Sequence, residues 1–235
     1  MNWRSGLDDG AVSADGPNPE LAALRSRVDL AGLPPLTRAV TEQVIASTAE
    51  LSYANDLDCA ESWLEAAVGA LAAGAPVVAD SPMVVAGIAS EMTICKAGES
   101  LTERLSRTAG IARAAAAVRL AFGEAGPGAI WVVGSEPVAL HEILARDVQP
   151  TLVIGMPAGF VAAVQAKRAL RESGVPAVTN TGEKGGPVAA AAVCGVLLAA
   201  AWRAGRQADA ESVSANRAAR RPGPIAGVAG RVRTP

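Results

Sequence analysis

One histidine, three lysines and three cysteines are all that this 235-residue chain has of those side chains, so the chemistry open to it is narrow. His141 lies in the helical pattern "EPVALHEILARD", beside Glu142. A Ser-His-Asp or His-metal site would have to use this one imidazole, and its place on a helix next to a carboxylate reads more simply as a surface residue. Cys59, Cys95 and Cys194 are far apart, with no CxxC or Cys/His spacing. That argues against a zinc site or disulfide scaffold and for a reducing compartment. "GEKGGP" sets Lys184, Gly185 and Gly186 ahead of an apolar run, and Gly-rich turns before helices bind anions through backbone N–H groups. The GxxxxGK[ST] spacing is missing, so nucleotide hydrolysis is not indicated, and neither GxSxG nor HExxH occurs. The residue types point to an anion-friendly cleft, and no further.

The elements that must build this cleft are legible as an alternation. "PVVAD", "GAIWVVG", "PTLVIGMP" and "VPAVTN" are short apolar runs of strand type. Between them lie the helical patterns "CAESWLEAAVGALAAGA" (ending in Gly74), 107–122, "EPVALHEILARD", "FVAAVQAKRALRES" and the closing "GGPVAAAAVCGVLLAAAW". Ahead of these, a helix is expected at 19–30 and a second from "LPPLTRAVTEQVIAS", with Thr37 as its N-cap. Continuous apolar strands alternating with helices predict a three-layer α/β/α single domain with a mostly parallel sheet and N-terminal helices. Ligands bind such sheets at the carboxyl ends of the strands, which here read "ADSPM", "VGSEP", "IGMPAGF" and "NTGEKGG". Three of the four contain Gly, which would let backbone approach a ligand closely.

Half the residues are hydrophobic and only 3% aromatic, so the core must be built from Ala, Val, Leu and Ile. The length suits one large domain, expected at 19–202. Residues 1–18 are polar and expected to be disordered, with no apolar stretch to act as a secretory signal. From Arg203 to the end, seven Arg face Asp209 and Glu211, a net of +5 that leaves −7 on the rest. Such a tail could meet nucleic acid or an anionic ligand, but without aromatic residues for stacking it reads as a solvated, disordered segment, 203–235. The run from Pro187 to Trp202 has 16 residues, short of the roughly 20 that span a bilayer, and reads as a buried helix.

Several segments together resemble the precorrin-8X methylmutase family of cobalamin biosynthesis. "VVGSEPVAL" is similar to its VIGNAPTAL-type strand-turn-helix, and "PTLVIGMPAGFVAAVQAKRAL" to its P-A-L-I-I-x-x-P-V-G-F-V-x-A-x-x-S-K pattern. "GEKGGPVAAAAV" resembles the GRKGGS segment, "SRTAG" the T-R-S-A element and "LRSRV" an R-S segment. Asp80, Met83, Val84, Gly87 and Ile88 match a D-x-x-M-V-x-x-G-I core. The likeness is collinear from about residue 20 to 201.

This resemblance implies an α/β homodimer, cytoplasmic, that binds a tetrapyrrole in a cleft near the subunit boundary. Its reaction moves a methyl group from C11 to C12 of precorrin-8X, giving hydrogenobyrinic acid, with no metal or organic cofactor, no nucleic acid and no membrane. The family's acid is a His, and an imidazole suits proton donation near neutral pH. The pattern V-I-H-A-T-A-D-F-x-Y-A aligns with 44–54 and places that His on Ala46, with Ser47, Thr48 and Glu50 as candidate substitutes. Ser135, Glu136, Val138 and Pro187 also depart from the family's residues. Carried over as substrate-binding are Ser26, Thr48, Tyr53, Asp80, Ser106, Arg107, Lys184, Gly185 and Gly186. Arg107 would pair with a peripheral carboxylate, or is a helix surface residue. Lys184 would take another, or belongs to a plain turn, and Asp80 would bind ligand or only cap a turn. The alternative to a working methylmutase is an inactive homologue that carries a corrinoid, or a regulatory partner of a true methylmutase.

Overall fold

Apolar side chains that alternate between two faces set the architecture. In the computed structural model, which describes residues 19–219 apart from Ala89 and Glu91, six strands form one sheet. They are β1 (Leu57–Asp58), β2 (Val77–Ala79), β3 (Thr93–Ile94), β4 (Ile130–Val133), β5 (Leu152–Gly155) and β6 (Ala177–Asn180), in the order β1-β6-β5-β4-β2-β3. All pairs are parallel except β1 with β6, where Leu57 stands opposite Asn180. Among the described residues, ten helices surround the sheet: α1 (Pro19–Arg25), α2 (Pro35–Thr48), α3 (Tyr53–Asp56), α4 (Glu61–Ala72), α5 (Pro82–Ile88), α6 (Ser100–Ala109), α7 (Arg113–Ala125), α8 (Pro137–Arg146), α9 (Ala162–Glu172) and α10 (Pro187–Ala219).

Ile130, Val132, Leu152, Ile154 and Val178 pack on one face against Val40 and Val44 of α2, Leu64 of α4, Val84 of α5 and Val193 of α10. Trp131, Val133 and Val153 alternate with them and pack on the other, against Val118 of α7, Leu140 of α8 and Leu170 of α9. Period-two side chains buried on both faces produce the three layers.

Some expected details change. Thr37 does not cap α2, which begins two residues earlier at Pro35. The cap comes from across the fold: the Glu61 carboxylate accepts the N–H groups of Leu36 and Thr37, each at 2.8 Å, and the Thr37 hydroxyl at 2.7 Å. The helix expected at 107–122 is two helices, because Gly110 adopts a left-handed φ of +62° and ends α6. The first helix is shorter than 19–30, ending at Arg25.

α10 continues past Trp202, where the sequence reading ends the domain, to Ala219. The segments 1–18 and 220–235 lie outside the described residues. Pro187–Gln207, 21 residues, is long and apolar enough to cross a membrane by length and composition. Yet Ala189, Ala190, Val193, Cys194, Leu197 and Ala201 are buried in the protein, and α10 packs on α2, α4 and α5. It is the central helix of one layer.

Candidate functional site

The loop that leaves β6 meets the turn between α2 and α3. There the Lys184 ammonium lies 2.5 Å from Asp56 Oδ2, donates to Ser52 Oγ, and sits 4.5 Å from the centroid of the Tyr53 ring. Ser52 in turn donates its hydroxyl to Glu50 Oε1 at 2.6 Å. That bond and the Ser52 N–H hold the Glu50 carboxyl below its usual range, so it is an anion at neutral pH and not a proton donor. Tyr53 is buried, and burial pushes its phenol up to about 12, with Asp56 and Glu50 adding to the effect.

The backbone that carries Lys184 is clamped from below. Lys167, fully buried on α9, donates to the Lys184 carbonyl at 2.5 Å and to Asn180 Oδ1 at 3.2 Å. Asn180 Nδ2 donates to the same carbonyl and to that of Thr181, and Arg171 donates to the Asn180 carbonyl. Burial pulls the Lys167 ammonium down to about 8, against the attraction of Asp56. On the other side, Gly186 N–H donates to Met156 O at 2.6 Å and Gly159 N–H to Glu183 O at 2.9 Å. Gly185 has φ +152°, and a Cβ there would meet Met156 O at 2.2 Å. The sequence reading missed Lys167. Its signal was a lysine on the apolar stripe Ala163-Ala166-Leu170 of an amphipathic helix, where an ammonium is expensive unless it holds something in place.

Glycines at the strand ends do not open the backbone to a ligand as expected. A Cβ on Gly134 would meet Pro187 Cα at 2.8 Å, and one on Gly155 would meet Leu170 Cδ2 at 2.4 Å. They allow α10 and α9 to pack close to the sheet. Apolar side chains also face outward at this edge: Met83, Val138, Phe160, Val161 and Val188, on loops and first turns that follow β2, β4, β5 and β6, are all exposed, Phe160 by 87%, beside exposed Glu136 and Glu183.

At the end of α2, Ala46 and Ser47 are exposed. Ser47 Oγ accepts from Gln43 Nε2 at 3.2 Å, while the Thr48 hydroxyl is committed to Val44 O at 2.7 Å. Asp80 caps a turn: its Oδ2 accepts the N–H groups of Ser135 and Glu136, both at 2.7 Å, and Ser81 Oγ lies 2.7 Å from Ser135 Oγ. Ser26 donates to Ala23 O at the end of α1, and Ser106 donates to Ile111 O across the α6–α7 break. Arg107 is exposed on α6, and no side-chain contact among the described residues joins it to the Lys184 cluster. The structure thus unites Tyr53, Lys184, Gly185 and Gly186, while Ser26, Thr48, Asp80 and Ser106 make their hydrogen bonds to other partners. His141 is exposed, and Glu142 beside it pairs with Arg119 and Arg146. A cavity of about 300 Å³ bounded by Met92, Cys95, Lys96 and Glu124 lies at the opposite sheet edge, beside β3. No three His, Cys, Asp or Glu side chains among the described residues are placed to hold a metal ion.

Residues 18–200 match the family model described as precorrin-8X methylmutase. The chain belongs to the precorrin-8X methylmutase family. Among its relatives is the cobalt-precorrin-8 methylmutase of Methanocaldococcus jannaschii, 34% identical over 163 residues that cover 67% of this chain and 77% of that one. The cobalt-precorrin-8 methylmutase of Salmonella typhimurium is 33% identical over 180 residues, 74% and 86% of the two chains. A solved structure of precorrin-8X methylmutase from Thermus thermophilus superposes with a TM-score of 0.71 at 29% identity, covering 80% of this chain and 95% of that one. The α/β fold and the sheet built from alternating strands and helices are those of the methylmutase family.

Proposed function

We propose that this chain is a methylmutase of corrin biosynthesis, moving the C11 methyl group of precorrin-8X to C12. The observation that carries the reading is the Lys184–Asp56–Ser52–Tyr53 cluster at the carboxyl edge of the sheet, in a chain whose residues 18–200 match the methylmutase family. The exposed apolar rim suits one face of a macrocycle, and excluding water there strengthens the polar contacts at its edge. Lys184 has three N–H donors; Asp56 and Ser52 take two, which leaves one for a substrate acceptor. Arg107, exposed on α6 and in no ion pair with the Lys184 cluster among the described residues, would be the second anchor for a peripheral carboxylate, supplied by the other subunit of a homodimer.

The shift is intramolecular: the carbon–carbon bond at C11 breaks as that at C12 forms, and no group is gained or lost. The protein's tasks are to hold the ring in the migrating geometry and to favour electron withdrawal at a ring nitrogen by donating a proton or hydrogen bond. Ala46 has no proton to give. Glu50 is held ionised and the Thr48 hydroxyl is engaged, so Ser47 and the third Lys184 N–H remain as donors. Loss of a general acid costs typically about 10²–10⁴-fold, which orientation can offset in part. We place the enzyme in the cytoplasm.

Mixing purified protein with precorrin-8X and recording the visible spectrum tests this. A shift to a corrin-type spectrum is expected, and the cobalt-containing substrate should be run beside it. Tight binding with an unchanged spectrum would replace the enzyme with a corrinoid carrier.

A further inference from the structure

Beyond the residues of the proposed reaction, two side chains that line one cavity each carry a buried polar atom without a hydrogen-bond partner among the described residues. The atoms are Oδ1 of Asp80 and Nε1 of Trp131. The cavity measures about 10 Å³ and is otherwise walled by apolar side chains, with Ala117, Val118 and Ala121 of α7 over it and Val78 and Val133 of the sheet beneath. Trp131 is 2% exposed, so its indole is buried in the folded chain. We propose that this cavity is a binding site for a single ordered water, which accepts the Trp131 indole N–H and donates to Asp80 Oδ1.

Three features fix the occupant. The two polar atoms are complementary, one donor and one acceptor, so one molecule that both accepts and donates satisfies both. A buried water needs roughly 10–15 Å³ and two to four polar partners, and this cavity offers the lower bound of each. Two orphaned groups at one place are also unusual, since buried N–H and carboxylate atoms left unpaired are costly. An ion does not fit: a cation would meet the indole N–H, and an anion the carboxylate.

The water has a structural task at a particular place. β3 lies on one side of β2 and β4 on the other, so the β2/β4 boundary is where the chain reverses direction along the sheet. Asp80 leaves β2 there, and its other oxygen holds the N–H groups of Ser135 and Glu136 at the start of α8. Burial pushes the Asp80 carboxyl above its ordinary value against those N–H donors. A water donating to Oδ1 favours the charged form and so keeps the turn closed on it. Water, carboxylate and indole tie the end of β2 to the neighbouring strand β4.

Nuclear magnetic resonance of ¹⁵N-labelled protein reads this directly. The Trp131 indole resonance is assigned by its loss in Trp131→Phe. In the wild type it should show a cross-peak to water while exchanging slowly with deuterium. Ala117→Val, which adds methyl groups to the cavity wall, should abolish the cross-peak, and Asp80→Asn should shift the indole resonance. An indole without the water cross-peak overturns the proposal: with an Asp80-dependent shift it indicates a direct Asp80–Trp131 bond, and without one a dry cavity. Ala117→Val keeps the test open if Asp80→Asn fails to fold, and a cross-peak that survives Ala117→Val places the water elsewhere and counts against the site.

Discussion

Ala46 leaves the last turn of α2 without a titratable group, at the place where the resemblance to the family's V-I-H-A-T-A pattern would put a histidine. Its side chain is exposed, so an imidazole there needs no new space. Ala46→His is expected to raise the methyl-shift rate by on the order of 10²-fold, the low end of general-acid effects, measured by single-turnover absorbance. A variant that folds and binds but gains nothing would show that the cleft no longer presents the ring nitrogen to this helix. Gly185 makes a second residue-scale case. Its φ of +152° and the 2.2 Å approach to Met156 O leave no room for a methyl group. Gly185→Ala should lower stability by about 1–3 kcal/mol or more in urea unfolding, and should weaken ligand binding as the Lys184 loop is displaced. At this scale the sequence was partly legible. "GEKGG" stood out by its glycines, but its real supports, Lys167 and Asn180, look like ordinary helix and strand residues until the fold brings them under the loop.

Among the elements, α2 shows how a helix start can be settled at a distance. Thr37 followed by apolar Val40, Val44 and Ile45 has the pattern of a cap, yet the donors of the first turn go to Glu61 of α4. Propensity is a local signal and this cap is not local. Burial raises the Glu61 pKa, but the N–H groups of Leu36 and Thr37 and the Thr37 hydroxyl outweigh it and hold the carboxyl below its ordinary value. A carboxyl whose pKa is depressed on folding adds stability above its unfolded pKa, and loses it as pH falls through the folded value. Glu61→Gln should therefore cost about 1 kcal/mol at neutral pH. Thermal unfolding of the variant should also fall less steeply than that of the wild type as pH drops below about 4.5. The α6–α7 break was hidden for the opposite reason: helix-forming sequence on both sides of Gly110, alanine-rich after it, masks a stop that is local.

For the whole molecule, the parallel order was readable because β2, β4 and β5 are buried on both faces and so appear as unbroken apolar runs, while β6 is buried as well but ends in polar Thr179 and Asn180. Two-residue β1 and β3 fall below what any periodicity can show. That no side-chain contact among the described residues joins Arg107 to the Lys184 cluster leads to a prediction about assembly. If one subunit supplies the arginine and its partner the lysine, Arg107→Ala and Lys184→Ala should each be inactive. Mixed and allowed to exchange subunits, they should recover about a quarter of wild-type activity, as random pairing about a two-fold requires. Recovery near zero would place both side chains in the same chain's site. Sedimentation of the wild type should give twice the 23.6 kDa chain mass.

The antiparallel pairing of β1 with β6 has a temporal side. Asp56 and Leu57 meet Lys184 and Asn180 only after more than half the chain has been added between them. The sheet can grow from β4 to β5 to β6 through neighbouring units, but the first edge strand has to wait for the last. During synthesis α2 and α4 emerge early and must wait for α10, the helix that packs on both. Completion of the sheet and completion of the lysine cluster are then one event, so a chain that stalls or is cut before β6 has lost the site as well as the edge.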